Sequence, residues 1–343
     1  VSVLYWFDIP HTLINVMAVA AARAFPVYPI GTKGQPWGTA ERDQWRSLQT
    51  KKRSYVTDVV NELQSIFSKD AALAAVAEIT PYGHLDYTNL GLSTYDLFAV
   101  KSKDFSKDRR TVVVTGGVHG YETSGVHGAL LFIREKFVQY APKVNLIVLP
   151  CITPWAYETI NRWNPEAVDP NRSFDPAAPK CQEAGFAMKF VLETGAAGGD
   201  FLVHTDLHET TDTDNSEFCP AKFARDGTDP EPWSEIPDGF YVVADSSRPM
   251  QMGFYEAQIA AVRKVTHIAP ADENGCLIGD KIIGDGIVPY PCIDLHLCAS
   301  FTPSPYVTTT EVYPDSPKTN ADECNRAQVA CVEACIDYAL AHI

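Results

Sequence analysis

Runs of consecutive apolar residues alternate along this chain with stretches whose apolar positions recur at helical spacing. Val56, Val59, Val60, Leu63 and Ile66 share one helical face and predict a helix over 41–67. The β-branched run TVVVT (111–115) and the run VNLIVL (144–149) predict buried strands, with a helix over 122–140 between them. Further strands are expected over 201–207, 240–244 and 307–312, and further helices over 181–194, 250–265 and 320–343. Strands alternating with helices predict an α/β protein with a mainly parallel or mixed sheet covered on both faces. In such folds ligands collect at the carboxyl ends of the strands.

Residues 24–40 are rich in Pro and Gly and read as an ordered loop or arm. Leu13 to Ala22 is apolar and ends in small residues like the close of a signal peptide. It lacks a basic flank and is too short to span a bilayer, so a packed helix is expected there. The 343 residues suit one catalytic domain, 67–343, carrying an N-terminal arm and helix, 1–66, packed against it.

Composition narrows the partners. A formal net charge of −15 and a pI near 5.0 argue against nucleic acid or an anionic membrane, both of which need a basic surface. The nine cysteines include no Cys-x-x-Cys, and their odd number excludes a fully paired set within the chain. Buried thiols and a cytoplasmic location are expected. Between 200 and 245 there are twelve acidic and two basic residues, read mostly as a solvated loop. Within it Asp212 and Asp214 are candidates for the mouth of a site or for a second metal.

Four segments carry candidate chemistry. Gly116-Gly117-Val118-His119-Gly120-Tyr121-Glu122 follows the first buried strand. An imidazole and a carboxylate three residues apart at a strand-to-helix turn can face one ion, and a catalytic zinc takes about three protein ligands plus an open position. His127, further along the helix, reads as structural. Asp206-Leu207-His208-Glu209 ends a later strand. His208 supplies a third ligand, Asp206 is placed to orient its ring, and His204 is a rival set deeper in the sheet. Arg162 and the pair Asn171-Arg172 suit a substrate bearing a carboxylate, which Arg grips in bidentate fashion. Asn171-Arg172-Ser173 also spells a glycosylation sequon, discounted because a sugar there would block the site. Glu311 lies in a β-branched strand, where an acid needs a task or a partner. Beside a zinc that holds a water, such a carboxylate can serve as general base.

In this order, His119-x-x-Glu122, Arg162, Asn171-Arg172, His208 and Glu311 resemble the zinc carboxypeptidase superfamily of the carboxypeptidase A type, over roughly residues 70–340. The resemblance implies a three-layer α/β/α fold with a mixed, mainly parallel sheet and one Zn2+ held by His119, Glu122 and His208. It assigns Arg162 to the carbonyl and oxyanion, Asn171 and Arg172 to the substrate's free carboxylate, Glu311 to proton transfer and Tyr290 to capping the substrate. The wording GGVHGYE and DLHETT is closer to the succinylglutamate desuccinylase and aspartoacylase branch. The expected reaction is hydrolysis of an amide in a carboxylate-bearing small peptide, most simply release of a C-terminal residue. An N-acyl-amino-acid amidohydrolase is the alternative on the same site. A catalytically inactive binding protein is disfavoured because each catalytic residue type is present, and a serine hydrolase because there is no Gly-x-Ser-x-Gly elbow.

Overall fold

A computed structural model describes residues 23–343; the apolar stretch 13–22 lies outside the described residues. Ten strands form: β1 (Ala77–Asp86), β2 (Thr94–Ser102), β3 (Thr111–Gly116), β4 (Asn145–Leu149), β5 (Phe201–Glu209), β6 (Tyr241–Asp245), β7 (Cys276–Leu277), β8 (Asp280–Lys281), β9 (Ile287–Tyr290) and β10 (Tyr306–Val312). Eight of them make one sheet in the order β1-β2-β4-β3-β5-β10-β6-β9, and β7 and β8 pair as a separate hairpin. The pairs β3–β4, β3–β5, β5–β10 and β6–β9 are parallel, whereas β1–β2, β2–β4 and β10–β6 are antiparallel. The sheet is therefore mixed and mainly parallel.

The helices are α1 (Thr39–Ser47), α2 (Asn61–Lys69), α3 (Ala71–Val76), α4 (Thr123–Glu135), α5 (Phe137–Tyr140), α6 (Pro154–Thr159), α7 (Gln182–Gly195), α8 (Cys219–Asp226), α9 (Met252–Val262) and α10 (Ala321–Ala341). Period-two alternation in β3 sends Val112 and Val114 to one face with Val126 and Leu130 of α4 and Val329 and Val332 of α10. Val113 goes to the other face with Ala184, Ala187 and Met188 of α7. Apolar side chains thus fill both faces, which is why β3 and β4 read as unbroken apolar runs and why the fold has three layers. No helix among the described residues is long and apolar enough to cross a membrane. All nine cysteines are free thiols, seven of them buried and two, Cys219 and Cys276, partly exposed on the cleft described below.

Two expectations are corrected. The helix predicted over 41–67 is broken: α1 ends at Ser47, and α2 follows a wider, π-type turn over Val56–Val60. The intervening stretch 50–54 has no apolar residue, and its groups bind elsewhere. The amides of Lys52 and Arg53 both donate to the Glu158 carbonyl, and the Arg53 guanidinium donates to the carbonyls of Tyr157 and Gly120 and to Thr123 Oγ1. The acidic segment 200–245 is not mainly loop either; a π-type turn over Asp214–Phe218 runs into α8, whose apolar face buries Ala221 and Phe223. The hairpin β1–β2, at the edge of the sheet, adds two strands that the periodicity did not mark.

The chain order places a switch point at β3: its successor β4 lies on one side and β5 on the other. The loops leaving the carboxyl ends of β3 and β5 diverge there and open a crevice. Gly117 (φ 59) takes the left-handed conformation that this turn demands, and a Cβ on Gly120 would sit 2.0 Å from the carbonyl carbon of Ala156.

Gln328 of α10 pins the elements that meet at the crevice. Its Nε2 donates to the His208 carbonyl at 2.9 Å and to Ser124 Oγ at 3.3 Å, and its Oε1 accepts from Thr310 Oγ1. Replacing it with the similarly sized Leu strands three buried polar groups. Gln328→Leu should lower unfolding stability by about 2–4 kcal/mol, read as an earlier urea midpoint with unchanged slope; a loss under about 1 kcal/mol would contradict this account.

Candidate metal centre and active site

His119 and Glu122 lie in the turn between β3 and α4, and His208 lies near the carboxyl end of strand β5, one residue before its last. All three are buried, and one ligand atom from each lies within 4.8 Å of the others. His119 Nδ1 is 2.7 Å from Glu122 Oε1, and His208 Nδ1 is 2.6 Å from Glu122 Oε2. Glu122 Oε2 nevertheless accepts no hydrogen bond. The close approach of two imidazoles and a carboxylate, with the Oε2 facing His208 left without a hydrogen bond, is what a shared cation would explain, and the donor set suits zinc.

The far side of each ring supports the same reading. His119 Nε2 is 3.1 Å from Asp169 Oδ1, and His208 Nε2 is 2.7 Å from Asp206 Oδ2. A carboxylate that takes the Nε2 proton fixes the tautomer and leaves the Nδ1 lone pair facing inward. Asp206, anticipated from sequence, is itself held by Thr115 Oγ1 at 2.6 Å. Asp169 was not anticipated as an orienting group, since fifty residues separate it from His119. Its only signal was its place one turn before Asn171-Arg172, where it also caps that turn through the Asn171 amide at 2.9 Å. His204 is fully buried between Thr115 and Thr302, and burial pushes its imidazole down to about 4. It sits in the sheet, apart from the ligand trio. His127 contacts Tyr157 on the far side of α4, a structural place.

Glu311 pairs directly with His208 across the parallel β5–β10 ladder. Its Oε2 accepts from Thr210 Oγ1 at 2.8 Å, and Thr210 in turn meets Tyr241 OH at 2.7 Å. Burial, reinforced by the neighbouring Glu122 and opposed by His208, pushes its carboxyl up to about 8. The raised proton affinity marks Glu311 as a carboxyl beside the trio that can hold and pass on a proton.

Arg162 follows Ile160, a β-branched residue at φ 54, where such residues are strained. The strain turns the chain out of α6 so that the guanidinium reaches back. Its Nε is 3.2 Å from Asp169 Oδ2, and its Nη1 is 3.2 Å from Tyr121 OH and 3.4 Å from Asp214 Oδ1. Burial favours the neutral forms of Asp169 and Arg162, but each holds the other charged, and Asp169 stays well below the usual carboxylate range. Asp214 also accepts from Tyr121 OH at 2.7 Å. It therefore belongs to the arginine's surroundings, while Asp212 sits outside, against Tyr313 and the loop at Asp315. Asn171 is buried, with its Oδ1 taking the Cys298 amide at 2.7 Å and its Nδ2 3.3 Å from His208 Nε2. Arg172 is exposed on the wall, one donor on the Asn171 carbonyl at 2.7 Å. Tyr290 ends β9 with its hydroxyl on Asp280 of the β7–β8 hairpin.

All eight residues singled out from sequence line one cleft of about 920 Å3. The approach is shaped by Asp214, a candidate for the site mouth from the sequence, and by residues that the sequence did not mark: Tyr121, Trp233 and Phe25, together with Leu295 and Leu297.

No family model and no curated protein matches the chain. Solved structures do. A candidate metallopeptidase of Shewanella amazonensis SB2B aligns with a TM-score of 0.58 at 17% identity, covering 85% of this chain and 98% of the other. A metallo-carboxypeptidase of Burkholderia cenocepacia aligns at 0.52 and 13%, covering 82% and 68%. Bovine thrombin-activatable fibrinolysis inhibitor, solved with tick carboxypeptidase inhibitor, aligns at 0.52 and 10%, covering 87% and 100%. At such identities the likeness is one of fold. The mixed eight-stranded sheet with helices on both faces is the α/β fold of these metallopeptidase and metallo-carboxypeptidase structures.

Proposed function

We propose that this chain is a zinc-dependent hydrolase that cleaves an amide in a carboxylate-bearing substrate, releasing the C-terminal residue of a small peptide. The observation that carries the reading is the convergence of His119 Nδ1 and His208 Nδ1 on the Glu122 carboxylate, each ring braced from behind by Asp169 or Asp206. Zinc held by this trio would supply Lewis-acid polarisation of a carbonyl and a more acidic water.

The chain's own groups do the rest. Glu311 accepts the proton of the attacking water and returns it to the departing nitrogen. Arg162, with Nε and Nη1 fixed by Asp169, Tyr121 and Asp214, aims its remaining N–H at the oxygen that becomes negative. Arg172, whose head is exposed in the cleft, takes the substrate carboxylate, and the Asn171 amide lies beside it. Tyr290 closes over the bound substrate. The cleft volume of about 920 Å3 is at the top of the range of about 300–1,000 Å3 that encloses drug-sized ligands, room for a short peptide rather than one acylated amino acid.

Four outcomes are expected. Protein purified without chelator should carry one zinc per chain by elemental analysis, and His208→Ala should carry almost none; full activity in metal-free protein would end this reading. Glu311→Gln should keep the metal and lose turnover by at least about a thousandfold, near the upper range for a proton-transfer group, whereas retained kcat removes Glu311 from the mechanism. Asp169→Asn should weaken zinc by about 10–100-fold in competition with a chelator, and an unchanged affinity would show that Asp169 does not orient His119. Substrate class is decided by comparing N-blocked dipeptides with N-acetyl and N-succinyl amino acids: the peptides should have the higher kcat/KM, and preference for the acyl amino acids would reassign the enzyme as an acylase.

A further inference from the structure

The N-terminal arm reaches the cleft. Phe25 lines it together with the proposed ligands, although 94 residues separate Phe25 from His119 in sequence. Its ring packs 5.0 Å from Trp233 and 5.2 Å from Phe223, centroid to centroid. Trp233 also lines the cleft, in the segment between α8 and β6. The arm is fastened on both sides of Phe25, to that segment and to the π-type turn that leads into α8. Arg23 makes a two-pronged ion pair with Glu235 at 2.9 Å and lies over the Trp233 ring at 5.8 Å, and Tyr28 OH donates to Glu217 Oε1 at 2.9 Å.

Two features argue that this pair is a working surface and not only a seam. Phe25 and Trp233 are each only partly buried, so part of each ring faces the cleft. Trp233 Nε1 has no hydrogen-bond partner among the described residues, so no polar contact of the indole ties it into the seam. The pair joins the centre along the Tyr121 side. Phe223 of α8 carries Phe25, and Phe218, which leads into α8, packs 4.5 Å from Tyr121, itself stacked on His119. The Asn171–Arg172 loop is instead bound to the segment at Cys298 and faces Leu295 and Leu297. The cleft thus has a cationic wall for a terminal carboxylate and an aromatic wall contributed by the arm.

We propose that Phe25 and Trp233 form a specificity subsite that takes an apolar, preferably aromatic, side chain of the peptide on the amino side of the scissile bond. This rests on reading the cleft as a peptide site, and it makes the arm part of substrate recognition.

The test is equilibrium binding by calorimetry to the full, metal-loaded chain. The probes are N-acetylated tripeptides with a free carboxylate, the last amide replaced by a methylene-amine so that nothing is cleaved. They carry Phe-Gly, Gly-Phe or Gly-Gly before that bond. One Phe peptide should bind about tenfold tighter than the Gly-Gly peptide, the scale of one well-buried ring. Phe25→Ala should bring that ratio close to one, with zinc content and melting temperature near wild type because Phe25 is on a partly exposed arm. Trp233→Ala should do the same, and Trp233→Phe should keep most of the ratio if Trp233→Ala does not fold. Equal binding of the three probes overturns the subsite, as does a Phe preference that survives Phe25→Ala. A preference that behaves as expected, while the corresponding all-amide peptides go uncleaved, would retire the hydrolase reading and leave the subsite standing.

Discussion

Two imidazoles and a carboxylate buried within 4.8 Å of one another set the terms for the rest of the molecule. Taking such groups out of water is costly unless charge is matched and every lone pair has a use. Here each ring gives one nitrogen to a buried carboxylate behind it and turns the other inward, so the only unmet demand points at the centre of the trio. The fold meets the geometric half of that demand by laying β3 and β5 side by side and parallel at the switch point, so that both ligand turns emerge at the same end of the sheet.

Holding that end still requires parts from the whole chain. Arg53 binds the carbonyl of Gly120 and the hydroxyl of Thr123, which bracket Tyr121-Glu122, so the turn with the ligands is gripped by the N-terminal segment. Trp45 of α1 packs 5.6 Å from Trp163 and 5.9 Å from Trp155, while Arg42 and Arg46 donate to the carbonyls of Glu166 and Pro165. These contacts brace the loop that carries Arg162. From the other terminus, Gln328 ties β5 to β10 next to both His208 and Glu311. The rigidity demanded of a catalytic constellation is supplied by long-range polar clasps over an apolar core.

That division explains which features were legible beforehand. The buried strands and the ligand turns were readable because a β-branched run followed by glycines and His-x-x-Glu is a local signal, and the three-layer fold follows from their alternation with helices. The break near residue 50 was not readable: the apolar face of 56–66 continues the helical period, and only the tertiary claim of Glu158 and Gly120 on Lys52 and Arg53 interrupts it. Asp169 was hidden for the same reason. An acid in a loop looks solvated until the fold brings an arginine and an imidazole to it, and the aromatic wall at Phe25 and Trp233 joins segments about two hundred residues apart.

The two arginines that the motif order groups together are built for different work. Arg162 is flanked by Asp169 and Asp214, so it contributes little net field and acts through the direction of its N–H groups. Arg172 keeps an exposed head and, in the proposed reaction, would carry the longer-ranged attraction for an anionic chain end. The difference arises at Asp169, which serves His119 through one oxygen and Arg162 through the other. The ring that would hold the metal and the cation that would meet the oxyanion are thereby set by one carboxylate, and a shift of that side chain displaces both together.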